Sequence, residues 1–184
     1  MTHFLLPPDR RLYWIQPRVL ERRYVLVEDQ EAGAQESEYA SLQFAGRSFE
    51  RAEARAGQAG WIFQRQGCLN SAISVRRLGE QVTLAVYRLN LMGLEGRLVL
   101  NGAQAYRWQP ANLGRVDYRY LDGYGQPLVV FHPGAPEAQA SNLFKIQYQV
   151  QISASAYSLA DLPLLLTFGW FLVVRHQAAS TQIG

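Results

Sequence analysis

The chain has 184 residues, enough for one domain with a sizeable core, and is 48% hydrophobic, 12% aromatic and 18% charged; this excludes a disordered acidic tail and a disulfide-held miniprotein. The net charge of +3 is too small to argue for a nucleic-acid binder. A single cysteine, Cys68, excludes an internal disulfide and a multi-cysteine metal site.

The opening residues, MTHFLLPPDRR, lack a basic segment followed by a long apolar stretch, so no signal peptide is expected. From there to about residue 155 the chain reads as short strands separated by turns. In chain order the predicted strands are 11–16, 22–28, 39–44, 48–55, 60–66, 71–77, 81–89, 95–100, 105–109, 115–121, 127–132 and 145–152. The alternation is clearest near the end, where Ile146, Tyr148, Val150 and Ile152 interleave with Lys145, Gln147, Gln149 and Gln151. Val82, Leu84 and Val86 repeat the pattern, as do Val116, Tyr118 and Tyr120. Segment 48–55, SFERAEAR, is ambiguous, because its composition suits a helix equally well. Asn101-Gly102 and Asp122-Gly123 are hairpin dipeptides. Residues 29–38 and 133–142 read as polar loops within one domain rather than as linkers.

The last element is a predicted helix over about 159–176. Ser158 or Asp161 can cap it, Pro163 suits its first turn, and Arg175 and His176 are placed at its C-terminal end. Its apolar run, Leu162 to Val174, has 13 residues, whereas a membrane span needs about 20, so no transmembrane span is expected. The helix is apolar on nearly every face and therefore has to be surrounded on all sides. One flat sheet covers a single face, while a sheet closed on itself covers them all. The expected fold is mainly β, a twelve-stranded antiparallel closed barrel around a buried hydrophobic C-terminal α-helix, spanning residues 1–184 as one domain. Trp170 falls on the helix, and Trp61 and Trp108 have inward parity.

Three stretches carry a family resemblance. They are Gly60-Trp61-Ile62-Phe63-Gln64-Arg65-Gln66-Gly67 with Ser74-Val75-Arg76-Arg77, then Gly96-Arg97-Leu98-Val99-Leu100-Asn101-Gly102 with Tyr106-Arg107-Trp108. The third is Tyr120-Leu121-Asp122-Gly123-Tyr124-Gly125-Gln126-Pro127-Leu128, ending in Leu162-Pro163-Leu164-Leu165-Leu166 and Gly169-Trp170-Phe171-Leu172. In their order and spacing the chain resembles the tubby-like superfamily, which includes plant LURP-one-related proteins and phospholipid scramblases. These stretches resemble bacterial members of unknown function more than tubby itself. The resemblance implies a twelve-stranded barrel around a hydrophobic helix and, by analogy with tubby members, contact with anionic lipid headgroups. Fold alone does not carry function.

No catalytic constellation emerges. Cys68 with His132 is the one conceivable nucleophile–base pair, and the plain reading is a turn-adjacent residue and a strand-end histidine. No Gly-x-Ser-x-Gly elbow, P-loop or GxGxxG turn is present, and His3, His132 and His176 have no zinc-ligand spacing. No cofactor or metal is expected, and a non-catalytic role is. Glu36, Glu38 and Asp122 read as solvated or turn residues.

Arginine is the feature left over. There are 17 Arg and one Lys, and a guanidinium forks two hydrogen bonds onto a phosphate. The adjacent pairs Arg22-Arg23 and Arg76-Arg77 are the candidate ligand-binding residues. Successive residues of a strand face opposite ways, so one of Arg76 and Arg77 is expected inward unless a bulge intervenes or the strand has ended. Codon bias toward arginine, with most charges paired, is the plain alternative. A hairpin of 105–109 with 115–121 would set Arg107 opposite Asp117 on the outer face. The functional expectation is a binding module for anionic lipid headgroups or another small anion, cytoplasmic or peripheral at a membrane. The alternatives are a protein-interaction domain with an unknown protein partner, a scramblase-like membrane protein, and a hydrolase using Cys68 or a serine. The scramblase-like reading is opposed by the lone cysteine and the lack of an acidic calcium loop.

Overall fold

The computed structural model describes residues 6–8, 10–18, 20–28, 37–46, 48–67, 72–90, 95–102, 104–112, 116–134 and 147–181. Twelve strands follow in order: β1 (Leu12–Ile15), β2 (Arg23–Glu28), β3 (Glu38–Phe44), β4 (Arg51–Ala56), β5 (Ala59–Gln66), β6 (Ala72–Arg77), β7 (Thr83–Leu89), β8 (Gly96–Leu100), β9 (Ala105–Pro110), β10 (Tyr118–Leu121), β11 (Pro127–Pro133) and β12 (Gln147–Ile152). A short 3-10 helix, Ala154–Ser158, leads to one α-helix, α1 (Leu162–Thr181). Each strand pairs antiparallel with the next, and β1 closes the ring on β12, with Leu12 opposite Val150 and Trp14 opposite Tyr148. The expected closed barrel is the observed one, and closure leaves no unpaired sheet edge.

The ambiguous segment is a strand because its period is two. Ala52, Ala54 and Ala56 are buried, while Arg51, Glu53 and Arg55 alternate with them on the outer side. A helix would scatter these alanines around its circumference. As a strand they form a smooth inner face, and α1 packs most closely against β4 and β3. The charged side chains stay outside, where Arg55 pairs with Glu53 at 2.7 Å.

Side-chain contacts place α1 inside the ring. Trp170 meets Trp14 of β1, Tyr24 of β2 and Tyr148 of β12. Phe171 meets Phe44 of β3 and Phe63 of β5, and Phe168 meets Phe63 and Tyr87 of β7. Gly169 lies beneath Phe131 of β11 and Tyr120 of β10. By composition and length Leu162–Ser180 is apolar enough to cross a membrane, yet 67% of that stretch is buried inside the barrel.

The helix boundaries differ from the expected 159–176. Ser158 is not the cap: its hydroxyl donates to the Ser155 carbonyl, and Leu159 is extended. Asp161 holds the cap position, its carbonyl accepting from Leu165 N. At the other end nothing stops the helix, since Gln177, Ala178, Ala179 and Ser180 are all compatible with it. Arg175 and His176 therefore stand inside the helix, not in its last turn.

α1 is tied to the wall at its start and again at Arg175. Tyr106 of β9 donates its hydroxyl to Asp161 Oδ2 at 2.9 Å. Burial, with that hydrogen bond, pushes the Tyr106 phenol up to about 12. Where the helix leaves the barrel, Glu50 accepts from Arg65 at 3.0 Å and lies 3.6 Å from Arg175. Burial lowers the pKa of the Arg175 guanidinium, opposed by the nearby Glu50 charge.

Candidate functional site

The paired arginines do not form one site. In an up-and-down ring β2 and β6 run the same way, so Arg22 and Arg23 at the start of β2 lie at the opposite end of the barrel from Arg76 and Arg77 at the finish of β6. Their guanidinium groups are also largely engaged. Arg22 sits 4.4 Å above the Phe49 ring, and Arg23 pairs with Glu38. Arg76 donates to Gln81 at 3.0 Å and to Gln64 at 3.3 Å. A bulge between Val75 and Arg76 shifts the register against β7. Arg77 shares the parity of inward-facing Ile73 and Val75 and is exposed because the barrel ends there.

The expected Arg107–Asp117 pairing does not occur. β10 starts at Tyr118, opposite Pro110, and this register puts Leu121 opposite Arg107. Asp117 precedes the strand and reaches His132 Nδ1 at 3.3 Å instead, while His132 Nε2 lies 3.2 Å from Gln151 Oε1. His132 is thus held by two surface side chains, and Cys68 and His3 lie outside the described residues. The described residues contain no cluster of three or more His, Cys, Asp and Glu side chains placed to hold a metal ion.

A different set of arginines converges. On the outer wall Arg88 of β7 stands directly opposite Arg97 of β8, and Arg97 directly opposite Arg107 of β9. All three are exposed. Like charges facing one another across strands destabilise a sheet, and the usual remedy is an intervening carboxylate. Arg10, Arg18, Arg55, Arg65 and Arg175 each have one in the form of Glu28, Glu21, Glu53 or Glu50. Among the described residues, Arg88, Arg97 and Arg107 have none.

These three line a concavity of about 430 Å³ together with Ala105, Glu95 and Asp122. The two carboxylates line it alongside the arginines and form no ion pair with them. Asp122 Oδ1 accepts from the backbone N–H groups of Tyr124 and Gln126, both at 2.8 Å, which shapes the β10–β11 turn. Gly125 in that turn has φ of +81° and lies close to Arg107, 3.5 Å separating Arg107 Nη2 from where a Cβ would stand. Behind the row, on the inner side of the wall, Tyr87 lies against Gly96 so tightly that no side chain fits at 96. Three guanidinium groups are therefore presented together from regular strands, with donors free for an anion.

The arginine pairs visible in the sequence are adjacent in the chain, whereas adjacency here is across strands. The available signal was symmetry about a turn, since Arg97 and Arg107 stand equally far on either side of Gly102. No family model matches the chain, and no curated protein or solved structure matches it significantly.

Proposed function

We propose that the barrel is a non-catalytic binding module for an anionic ligand, taken up by Arg88, Arg97 and Arg107. One observation carries this reading: three arginines in register, exposed around one concavity and without ion-paired carboxylates among the described residues. A fold does not keep three like charges face to face for stability, because each opposed pair costs some fraction of 1 kcal/mol. A phosphate or carboxylate placed among them reverses that cost. The resemblance to the tubby-like superfamily supports the same reading through the anionic headgroups that its tubby members bind.

A phosphate can belong to a lipid headgroup or to a soluble ligand, and two assays separate them. Co-sedimentation with phosphatidylcholine vesicles, with and without phosphatidylserine, over a salt series reads the lipid source; calorimetric titration with inorganic pyrophosphate reads the soluble one. Binding in either assay is expected to weaken as salt rises and to drop at least about tenfold when Arg88, Arg97 and Arg107 are all changed to Gln. Glutamine at Arg22 and Arg23, or at Arg76 and Arg77, is expected to change it far less. Binding that survives the triple change would overturn this site, and no binding in either assay would overturn the reading.

A further inference from the structure

The arginine row has an apolar neighbour in register with it. Two residues along the same strands, Val86 stands opposite Val99, and Val99 opposite Ala105. Val99 is 41% exposed, and Val86 and Ala105 are half-buried. The outer wall of β7, β8 and β9 thus presents two parallel rows, one cationic and one aliphatic. Ala105 belongs to both the aliphatic row and the lining of the concavity.

Both rows run across the strands, so their repeat is the interstrand spacing of about 4.8 Å. A ligand meeting all three arginines has to present carboxylates at a similar repeat. An α-helix presents one side chain per turn on a given face, every ~5.4 Å. An extended chain presents one every ~6.8 Å. Over the two intervals from Arg88 to Arg107 a helix falls out of step by only about 1 Å and an extended chain by about 4 Å. Arginine and glutamate side chains absorb the first error and not the second. The second row then meets the next stripe of the same helix, which has to be aliphatic. A bilayer fits this surface poorly, because the arginines line a hollow in the barrel wall that admits side chains rather than a plane.

We propose that this wall docks an acidic amphipathic helix of a partner protein, laid across β7, β8 and β9. Its carboxylates meet Arg88, Arg97 and Arg107, and its aliphatic stripe meets Val86, Val99 and Ala105. This rests on the anion-binding reading of the same site and adds the class of partner.

The test uses a side-chain-crosslinked helical peptide with Glu at i, i+4 and i+7 and Leu at i+1, i+5 and i+8, spacings that put the two sets on adjacent stripes. A scrambled peptide of the same composition is the control. Fluorescence anisotropy is expected to show the patterned peptide binding the full chain at least about tenfold more tightly than the scrambled one. Val99→Thr keeps the β-branched shape and is expected to weaken the peptide about fivefold while leaving pyrophosphate titration unchanged. Arg97→Glu is expected to abolish both. Equal binding of the scrambled peptide, or a patterned peptide indifferent to Val99→Thr, would overturn the helix proposal while pyrophosphate binding kept the anion site. Phosphatidylserine vesicles that bind indifferently to Val99→Thr and displace the peptide would replace it with a membrane partner. Failure of pyrophosphate, vesicles and peptide alike would remove the anion reading itself.

Discussion

The indole of Trp14 on β1 lies parallel to that of Trp170 on α1, with ring centroids 5.6 Å apart and planes inclined by 3°. Neither side chain is exposed. Tyr24 and Tyr148 close around Trp170 from β2 and β12, so the indole plugs the barrel where the ring is joined. Trp170→Ala removes that plug and leaves a cavity the rigid wall cannot collapse into. The expected cost is about 3–5 kcal/mol, read by urea unfolding. A loss below about 1 kcal/mol would place the helix outside the barrel.

The helix core contains a glycine for a steric reason. A Cβ at Gly169 would stand 2.5 Å from Phe131 Cζ and 3.0 Å from Tyr120 Cε2. Helix propensity alone favours alanine by about 1 kcal/mol. Overpacking against two buried rings opposes it by about 1–3 kcal/mol. Gly169→Ala is therefore expected to lower Tm despite the propensity gain, and a rise in Tm would show that Phe131 can move aside.

How much of this was legible beforehand divides along a physical line. Period-two patterning is local, so the strands emerged from the sequence, and a helix apolar on all sides forces a surrounding sheet. That logic reached the barrel without reaching its registers. Arg107 was expected opposite Asp117 and stands opposite Leu121, because register depends on where each hairpin turns. A shift of a few residues left the fold unchanged and took Arg107 away from the carboxylate expected to pair with it. Arg88, Arg97 and Arg107 are separated in the chain and meet only through two hairpin registers. The C-terminal end of the helix differs from the expected one for a related reason: Arg175 resembles a C-terminal charge until Glu50, far away in the chain, accounts for it.

Tyrosines make stability depend on alkaline pH. Burial raises Tyr24 to about 12, and burial with the Asp161 hydrogen bond raises Tyr106 to about 12. Both phenols ordinarily titrate near 10, so between 10 and 12 the folded chain binds more protons than the unfolded one. Their contribution is complete below pH 10 and lost as pH climbs through 12. Melting curves from pH 8 to 12 should hold steady and then fall, with a gentler fall in Tyr106→Phe. An identical slope in that variant would deny Tyr106 its share.

Glu50 serves two cations on one oxygen, Arg65 at 3.0 Å and Arg175 at 3.6 Å. Glu50→Gln leaves both guanidinium groups without their carboxylate, one of them on the half-buried exit turn of α1. With Glu50 44% exposed, solvent screens much of the loss, and the expected cost is about 1 kcal/mol. In an Arg175→Met background the same change should cost measurably less, because one of the two orphaned charges is gone. Equal costs in both backgrounds would show that Glu50 acts on Arg65 alone.

Arg97 is flanked by Arg88 on one side and Arg107 on the other, which sets stability against binding. Arg97→Glu converts two facing repulsions into two attractions. Cross-strand pairs are worth about 0.2–1 kcal/mol each, and the exposed wall keeps them near the lower end. A net gain of about 1 kcal/mol raises Tm by about 2–4 °C for a domain of this size. The gain should shrink as salt rises, because screening weakens repulsion and attraction alike. The same variant loses the centre of the anion site, so pyrophosphate binding should collapse while the protein becomes harder to melt. That opposition separates a binding surface from a structural one, since removing a structural residue lowers both properties together. A Tm that falls at low salt would show that the three guanidinium groups do not repel in the native wall. A higher Tm with pyrophosphate binding intact would mean that the anion is held elsewhere on the barrel.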